Sequence, residues 1–309
     1  MIDAAVVGLR LLQYAGAMVL MGSSLFFLYG LRSQPRGQVD GLLWTHRAMV
    51  VAAAVLAVSA LLGLIAQTAL LAGSLADGLD PQMLKTVVAE MALGKAAIVR
   101  AGIALLALAA LFLVGPSRGV WIITAALGTI AAASMAWMGH GAVTDGPGGG
   151  LHLVADIVHI WSASVWIGAL VAFTALLIRS RSDPAVAVPL HDALRRFSGL
   201  GSILVALLIA TGAINSWFLV GMERIASLWT TPYGRLLSVK LLFLVLMLAL
   251  AALNRLRLTP ALGRASDSAI APEEELAALR RSVGMETALG FAILTLVAWF
   301  GTLEPPSAM

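Results

Sequence analysis

Between Met135 and Trp166 the sequence MAWMGHGAVTDGPGGGLHLVADIVHIWSASVW gathers three of the chain's five histidines, two methionines and Asp156. Imidazole and thioether are donors for soft and borderline metal ions. The chain has no cysteine, so any such ion must be held by its 12 methionines and 5 histidines. His152, Asp156 and His159 stand at i, i+4 and i+7, which places them in one polar stripe along a helix face. At about 1.5 Å of rise per residue His152 and His159 are about 10.5 Å apart along the axis, too far for one ion held by bonds near 2 Å. The spacing therefore favours two sites, or two steps on one path, over a single chelate. His140, with Met138 and Met135 just before it, is the candidate for a soft site at the outer end of that path.

The elements that must position these groups follow from the flanking pattern. Apolar helical sequence precedes Gly139 and follows Leu151, while GHGAVTDGPGGG between them is a glycine-rich turn that no helix runs through. The stretch is a helical hairpin with candidate ligands at its tip. With 60% hydrophobic and 12% charged residues in 309, the chain has too little polar surface for a soluble fold and reads as an integral membrane protein. Its apolar runs are each around 20 residues, the length that crosses about 30 Å of hydrocarbon as a helix, and none alternates like an outer-membrane strand. Eight spans are expected in an all-α bundle, near 4–30, 46–73, 90–114, 119–139, 151–178, 197–220, 235–254 and 281–302. APEEELAALRR, ahead of the last span, reads as a separate short helix. The opening MIDAAVVGLR lacks the basic region and cleavage site of a signal peptide, so the first run is expected to be retained as a span.

The formal charge of +4 does not indicate nucleic-acid binding, because the basic residues lie between apolar runs rather than in a stripe. They cluster in the odd loops: Arg32, Arg36 and Arg47; Arg118; Arg179, Arg181, Arg195 and Arg196; and Arg255, Arg257, Arg264, Arg280 and Arg281. The even loops offer only Lys85, Arg224 and Arg235. Odd loops are then cytoplasmic, and both termini and the ligand hairpin face the periplasm.

An internal repeat is also visible. ALG-x7-AWMG from Ala126 to Gly139 matches ALG-x7-AWFG from Ala288 to Gly301, and GKAAIVR from Gly94 matches GRLLSVK from Gly234. A four-helix unit, residues 1–140, repeated once as 141–309, implies two halves in the same orientation about an axis along the membrane normal. The chemistry is asymmetric, since His140 in the first copy corresponds to Thr302 in the second.

The second half carries RRFSGLGSILVALLIATGAINSWFLVG, TPYGRLLSVK, LNRLRLTP and LRRSVGMETALG. Together these resemble the copper resistance protein D (CopD) family of bacterial inner-membrane proteins, most closely over residues 195–305. The resemblance implies a protein that handles copper, as Cu(I) or Cu(II), at the inner membrane and works with a periplasmic CopC-like copper-binding protein. It makes His140, His152 and His159 the candidate copper residues, with Met138 and Met135 as weaker, softer donors. Asp156, on the same helix face, is expected on physical grounds to orient an imidazole and offset a cation's charge in low dielectric.

Plainer readings stand beside these. Met135 and Met138 are spaced as packing residues, and His46 and His191 read as solvent or interface groups. Glu90, Lys95, Arg100, Asp156, Lys240 and Glu286 fall in or near spans, where an unpaired charge costs at least about 2.5 kcal/mol. Arg100 and Asp156 are expected to be buried, Arg100 serving as a partner for Asp156 or Glu90, while Lys95, Arg235 and Lys240 can snorkel outward. No HExxH, G-x-S-x-G or P-loop is present, so no enzymatic activity is indicated. Two alternatives remain open at this point, a b-type haem electron-transfer protein and a metal-free scaffold or sensor for a periplasmic partner. The assignment of sides has a direct check: alkaline phosphatase fused to the C-terminus should be active, and activity of a cytoplasmic reporter there would reverse it.

Overall fold

A computed structural model describes residues 2–30, 43–139, 144, 146, 148–181, 187–266 and 273–308. Among these, eight helices are long and apolar enough to cross a membrane. They are α1 (Ile2–Tyr29), α2 (Leu43–Ala72), α3 (Ala92–Val114), α4 (Arg118–Ala133), α5 (Gly149–Arg179), α6 (Ala187–Leu219), α7 (Pro232–Leu253) and α8 (Glu273–Phe300). No strand occurs among the described residues. An even number of crossings brings both chain ends to one face, called here the terminal face.

Local chemistry sets the helix ends. Ser117 accepts from the Val120 amide at 3.2 Å to start α4, and Thr231 accepts from Gly234 at 3.1 Å with Pro232 in the first turn of α7. The last turn of α4 tightens into a 3-10 helix, Ser134–Met138, before Gly139. Three expectations need correction. α6 begins ten residues earlier than expected, taking His191, Arg195 and Arg196 into the helix. The acidic segment before the last span is not a separate helix: Glu273, Glu274 and Glu275 form the first turn of α8 itself, favourably placed at its positive end. After α7 the chain continues through a π turn, Asn254–Leu258, into Thr259–Ser266. An additional helix, Pro81–Glu90, capped by Asp80, lies against α3.

The packing has a definite plan. α1 meets α2, α4, α5 and α8, and the first four helices close into a ring, with α2 on α3, α3 on α4 and α4 on α1. The second four follow the same order with one omission: α5 packs on α6, α7 on α8 and α8 on α5, but α6 and α7 hardly touch. The second ring is a cleft. α1 and α5 form the wall between the two rings, where Gly22 faces Gly168 so closely that a Cβ on Gly22 would strike the Ser164 carbonyl and one on Gly168 would strike Gly22. Ser23 adds a hydrogen bond to the Gly168 carbonyl at 2.9 Å. Such small-residue crossings let backbones approach where lipid supplies no hydrophobic drive for association.

The glycines of the matched motifs sit in like surroundings. Gly94 of α3 and Gly234 of α7 each abut the carbonyl of the residue seven earlier, Val87 and Ser227, on the short helix that precedes each span. Gly128 of α4 rests on Met21 of α1, and Gly290 of α8 rests on Ile167 of α5. Because the α1–α5 crossing has no room for a side chain, Gly22→Leu should sharply reduce the monodisperse fraction of detergent-extracted protein. Gly8→Leu, at a position with nothing within 4 Å, is the tolerated control. Equal behaviour of the two would show that the crossing is not a stability determinant.

Candidate copper-binding cleft

The stripe expected on α5 lines a real cavity. Near the terminal face, between α5, α6, α7 and α8, a space of about 140 Å³ is bordered by His152, Asp156, His159, Asn215, Tyr233 and Lys240, with Arg10 and Tyr14 reaching in from α1. It occupies the part of the second ring that α6 and α7 leave open.

Each ligand candidate is held by a different neighbour. His159 Nδ1 is 2.9 Å from the Thr211 hydroxyl, and Thr211 spends its own proton on the Leu207 carbonyl at 2.6 Å. The hydroxyl therefore accepts from His159, which puts the ring proton on Nδ1 and leaves the Nε2 lone pair for a metal. His152 is 1% exposed, with Nδ1 2.7 Å from the Thr144 hydroxyl and its ring stacked on Phe218 at 4.8 Å and 9°. Asp156 takes a hydrogen bond from Asn215 Nδ2 at 3.3 Å, while Asn215 Oδ1, also buried, has no partner. A carboxylate, an imidazole nitrogen and an amide oxygen thus border one space. Among the described residues no three His, Asp or Glu side chains stand close enough to form a compact metal site.

The other candidates fall elsewhere. His140 lies outside the described residues. Met135 is 1% exposed in the apolar core, and the Met138 sulfur lies 3.3 Å from Arg100 Nη1. Two sequence expectations about charge are corrected here. Arg100, buried at 1% exposure, does not pair with Asp156: it donates to Gln13 Oε1 at 2.5 Å, to the Ser134 hydroxyl at 3.1 Å and to the Ser134 carbonyl at 2.9 Å. It ties the 3-10 turn that ends α4 to Gln13 on α1. Lys240 does not snorkel away. It lines the cavity, its charge acts on Asp156, and its ammonium stands 5.6 Å from the centre of the Phe300 ring. Glu90, Lys95 and Arg235 are exposed. His46 bonds the Leu111 carbonyl at 2.8 Å, and His191 packs beside Gly263; both lie toward the opposite face, each against a different helix, and form no pair with the cleft histidines.

Sequence reading missed Arg10, Gln13, Thr211 and Asn215. Arg10 is the one charge well inside the first span, and its Nη2 donates to the Met138 carbonyl at 2.7 Å, so its isolation in an apolar run was the available signal. Gln13, Thr211 and Asn215 are ordinary interhelical polar residues until their neighbours are known.

The fold and cleft define a polytopic helical membrane protein with a cavity between spans bordered by titratable side chains. The comparisons with known proteins narrow this class. Residues 1–151 match the model of the copper resistance protein D-like N-terminal domain, and residues 191–300 match that of copper resistance protein D. The chain is 32% identical to copper resistance protein D of Pseudomonas syringae pv. tomato, covering 98% of this chain and 97% of that one. It is 26% identical to the copper transport protein CutJ of Bacillus subtilis strain 168 over 96% of this chain and 52% of CutJ. It is 29% identical to the inner membrane protein YebZ of Escherichia coli K12 over 55% of each. No solved structure matches. The protein belongs to the copper resistance protein D family.

Removing the Arg100 guanidinium would take the donor from the buried Gln13 Oε1 and from the Ser134 hydroxyl, at about 1–3 kcal/mol for each. Arg100→Leu is therefore expected to lower the thermal midpoint in detergent by several degrees, and an unchanged midpoint would mean that the buried network contributes nothing to stability.

Proposed function

We propose that this protein takes copper at its periplasmic face, through the cleft between α5, α6, α7 and α8, and carries it across the inner membrane toward the cytoplasm as part of copper homeostasis. The observation that carries this reading is that His152, Asp156 and His159, on one face of α5, border one polar cavity in the only unclosed part of the packing among the described residues. The names of the relatives, copper resistance and copper transport, support copper as the substrate.

In this reading His140 captures the ion at the hairpin, where a CopC-like periplasmic protein would deliver it, and His152 passes it inward to Asp156 and His159. His159 offers Nε2, a nitrogen suited to Cu(I) or Cu(II), and Asp156 offsets the cation's charge in a low dielectric. Lys240 is then the resident counter-charge: it balances Asp156 while the cleft is empty, and an arriving copper ion competes with it, which keeps binding weak enough for release. Met138 serves here as support for the last turn of α4, since a thioether already against a guanidinium is a poor host for another cation, and Met135 serves as core packing.

Separate substitutions test the path. Asp156→Asn and His159→Ala should each cut copper binding by tenfold or more, measured by calorimetry and metal analysis on folded protein, with a matching loss of uptake into proteoliposomes. His152→Ala should weaken loading less. Full copper affinity and transport in both His140→Ala and His159→Ala would remove the hairpin and cleft from the copper path.

A further inference from the structure

The open side of the second ring holds a second cavity, nearer the opposite face. It measures about 460 Å³ and is bordered by Trp166 of α5, Phe197 and Ser202 of α6, Asn254 at the π turn, and Glu286 of α8. The nearest lining residues of the two cavities stand seven positions apart on α6 (Val205 and Gly212) and on α8 (Glu286 and Ile293), and three apart on α5 (Ala163 and Trp166). At about 1.5 Å per residue the separation is about 10 Å along α6 and α8 and narrows to about 4.5 Å along α5.

Glu286 is 3% exposed and sits well inside a membrane-spanning helix. Trp166 Nε1 donates to one carboxyl oxygen at 2.8 Å and Asn254 Nδ2 to the other at 2.9 Å. Both donors are neutral. The other charged group bordering the cavity is Arg255, which bonds the Ser202 hydroxyl, and α5 and α6 present no charged or titratable side chain to the space. Among the described residues, Trp166 and Asn254 supply the side-chain hydrogen bonds to Glu286. A carboxylate held in a membrane interior without a cation is costly and calls for a positive partner that comes and goes.

The donor set identifies that partner. The site has no imidazole or thioether, so it does not suit copper. A hard metal ion takes about six or more oxygens, and the lining here is mostly apolar. A carboxyl group that exchanges a proton needs a donor when ionised and an acceptor when protonated, and Asn254 supplies both. Its amide nitrogen holds the ionised carboxylate, while its Oδ1, buried and without a partner, can accept from the acid once the amide turns over. Ser282, one turn earlier on α8 and toward the opposite face, is likewise buried with its hydroxyl unpartnered. π turns of this kind recur at functional sites within helices.

We propose that Glu286 is a proton-exchange site that links copper movement through the upper cleft to proton movement at the face opposite the termini. An O–H bond of aqueous hydronium breaks, an O–H bond forms on Glu286, and the carboxylate charge is cancelled; release reverses the step. The link to flux rests on the copper reading above, whereas proton exchange at Glu286 does not, and the experiments separate the two.

Infrared difference spectroscopy of the full-length protein in lipid, titrated with pH in the absence of copper, should show a protonated-carboxyl band that shifts in heavy water and is missing in Glu286→Gln. Glutamine preserves the shape and can still exchange hydrogen bonds with Trp166 and Asn254, so the variant should keep wild-type thermal stability and wild-type copper binding. In proteoliposomes its copper flux should lose the pH dependence of the wild type. A band unchanged in Glu286→Gln, or a pH dependence of flux unchanged by it, would overturn the proposal.

Discussion

The crossing of α1 and α5 governs the rest of the molecule. Gly22 and Gly168 bring the two backbones into contact, and the Ser23 hydroxyl spans the crossing to the Gly168 carbonyl. In a bilayer this closeness matters more than in water, because packing and hydrogen bonds, rather than hydrophobic burial, hold helices together. With α5 fixed against α1, its other side is committed to the second ring. That side carries His152, Asp156 and His159, so the contact that joins the halves also turns the stripe into the cleft.

Charge is distributed unequally between the halves. In the first, Arg100 is fully buried and fully employed, with donors to Gln13 and Ser134, and Arg10 closes over the Met138 carbonyl. These cations lock the end of α4 in place of a longer helix. In the second half Lys240 stands at the position that the GRLLSVK motif matches to Arg100, but it faces Asp156 across a cavity. A related placement of basic residues thus serves as a structural tie in one ring and as a counter-charge in the other. The difference follows from closure: α2 and α3 pack together, whereas α6 and α7 hardly touch.

The cleft holds polar groups at two levels of different chemistry. The upper level offers imidazole, carboxylate and amide oxygen. The lower offers a single carboxylate between neutral donors. The nearest lining residues of the two levels stand seven positions apart on α6 and α8 and three apart on α5.

The sequence by itself determined the membrane setting, the eight helices and the stripe on α5, because apolar run length and a helical spacing of i, i+4 and i+7 are local properties. It also carried the family, through motifs such as TPYGRLLSVK and LNRLRLTP. It did not determine which charges meet. Arg100 was expected near Asp156 and instead bonds Gln13 on α1, Lys240 turned into the cavity rather than outward, and Glu286 proved to be held by Trp166 and Asn254, 120 and 32 residues away. Only the tertiary structure decided these pairings and the gap between α6 and α7, because partners far apart in the chain are chosen by how closely neighbouring helices approach, and that depends on side-chain volumes at crossings such as Gly22 and Gly168.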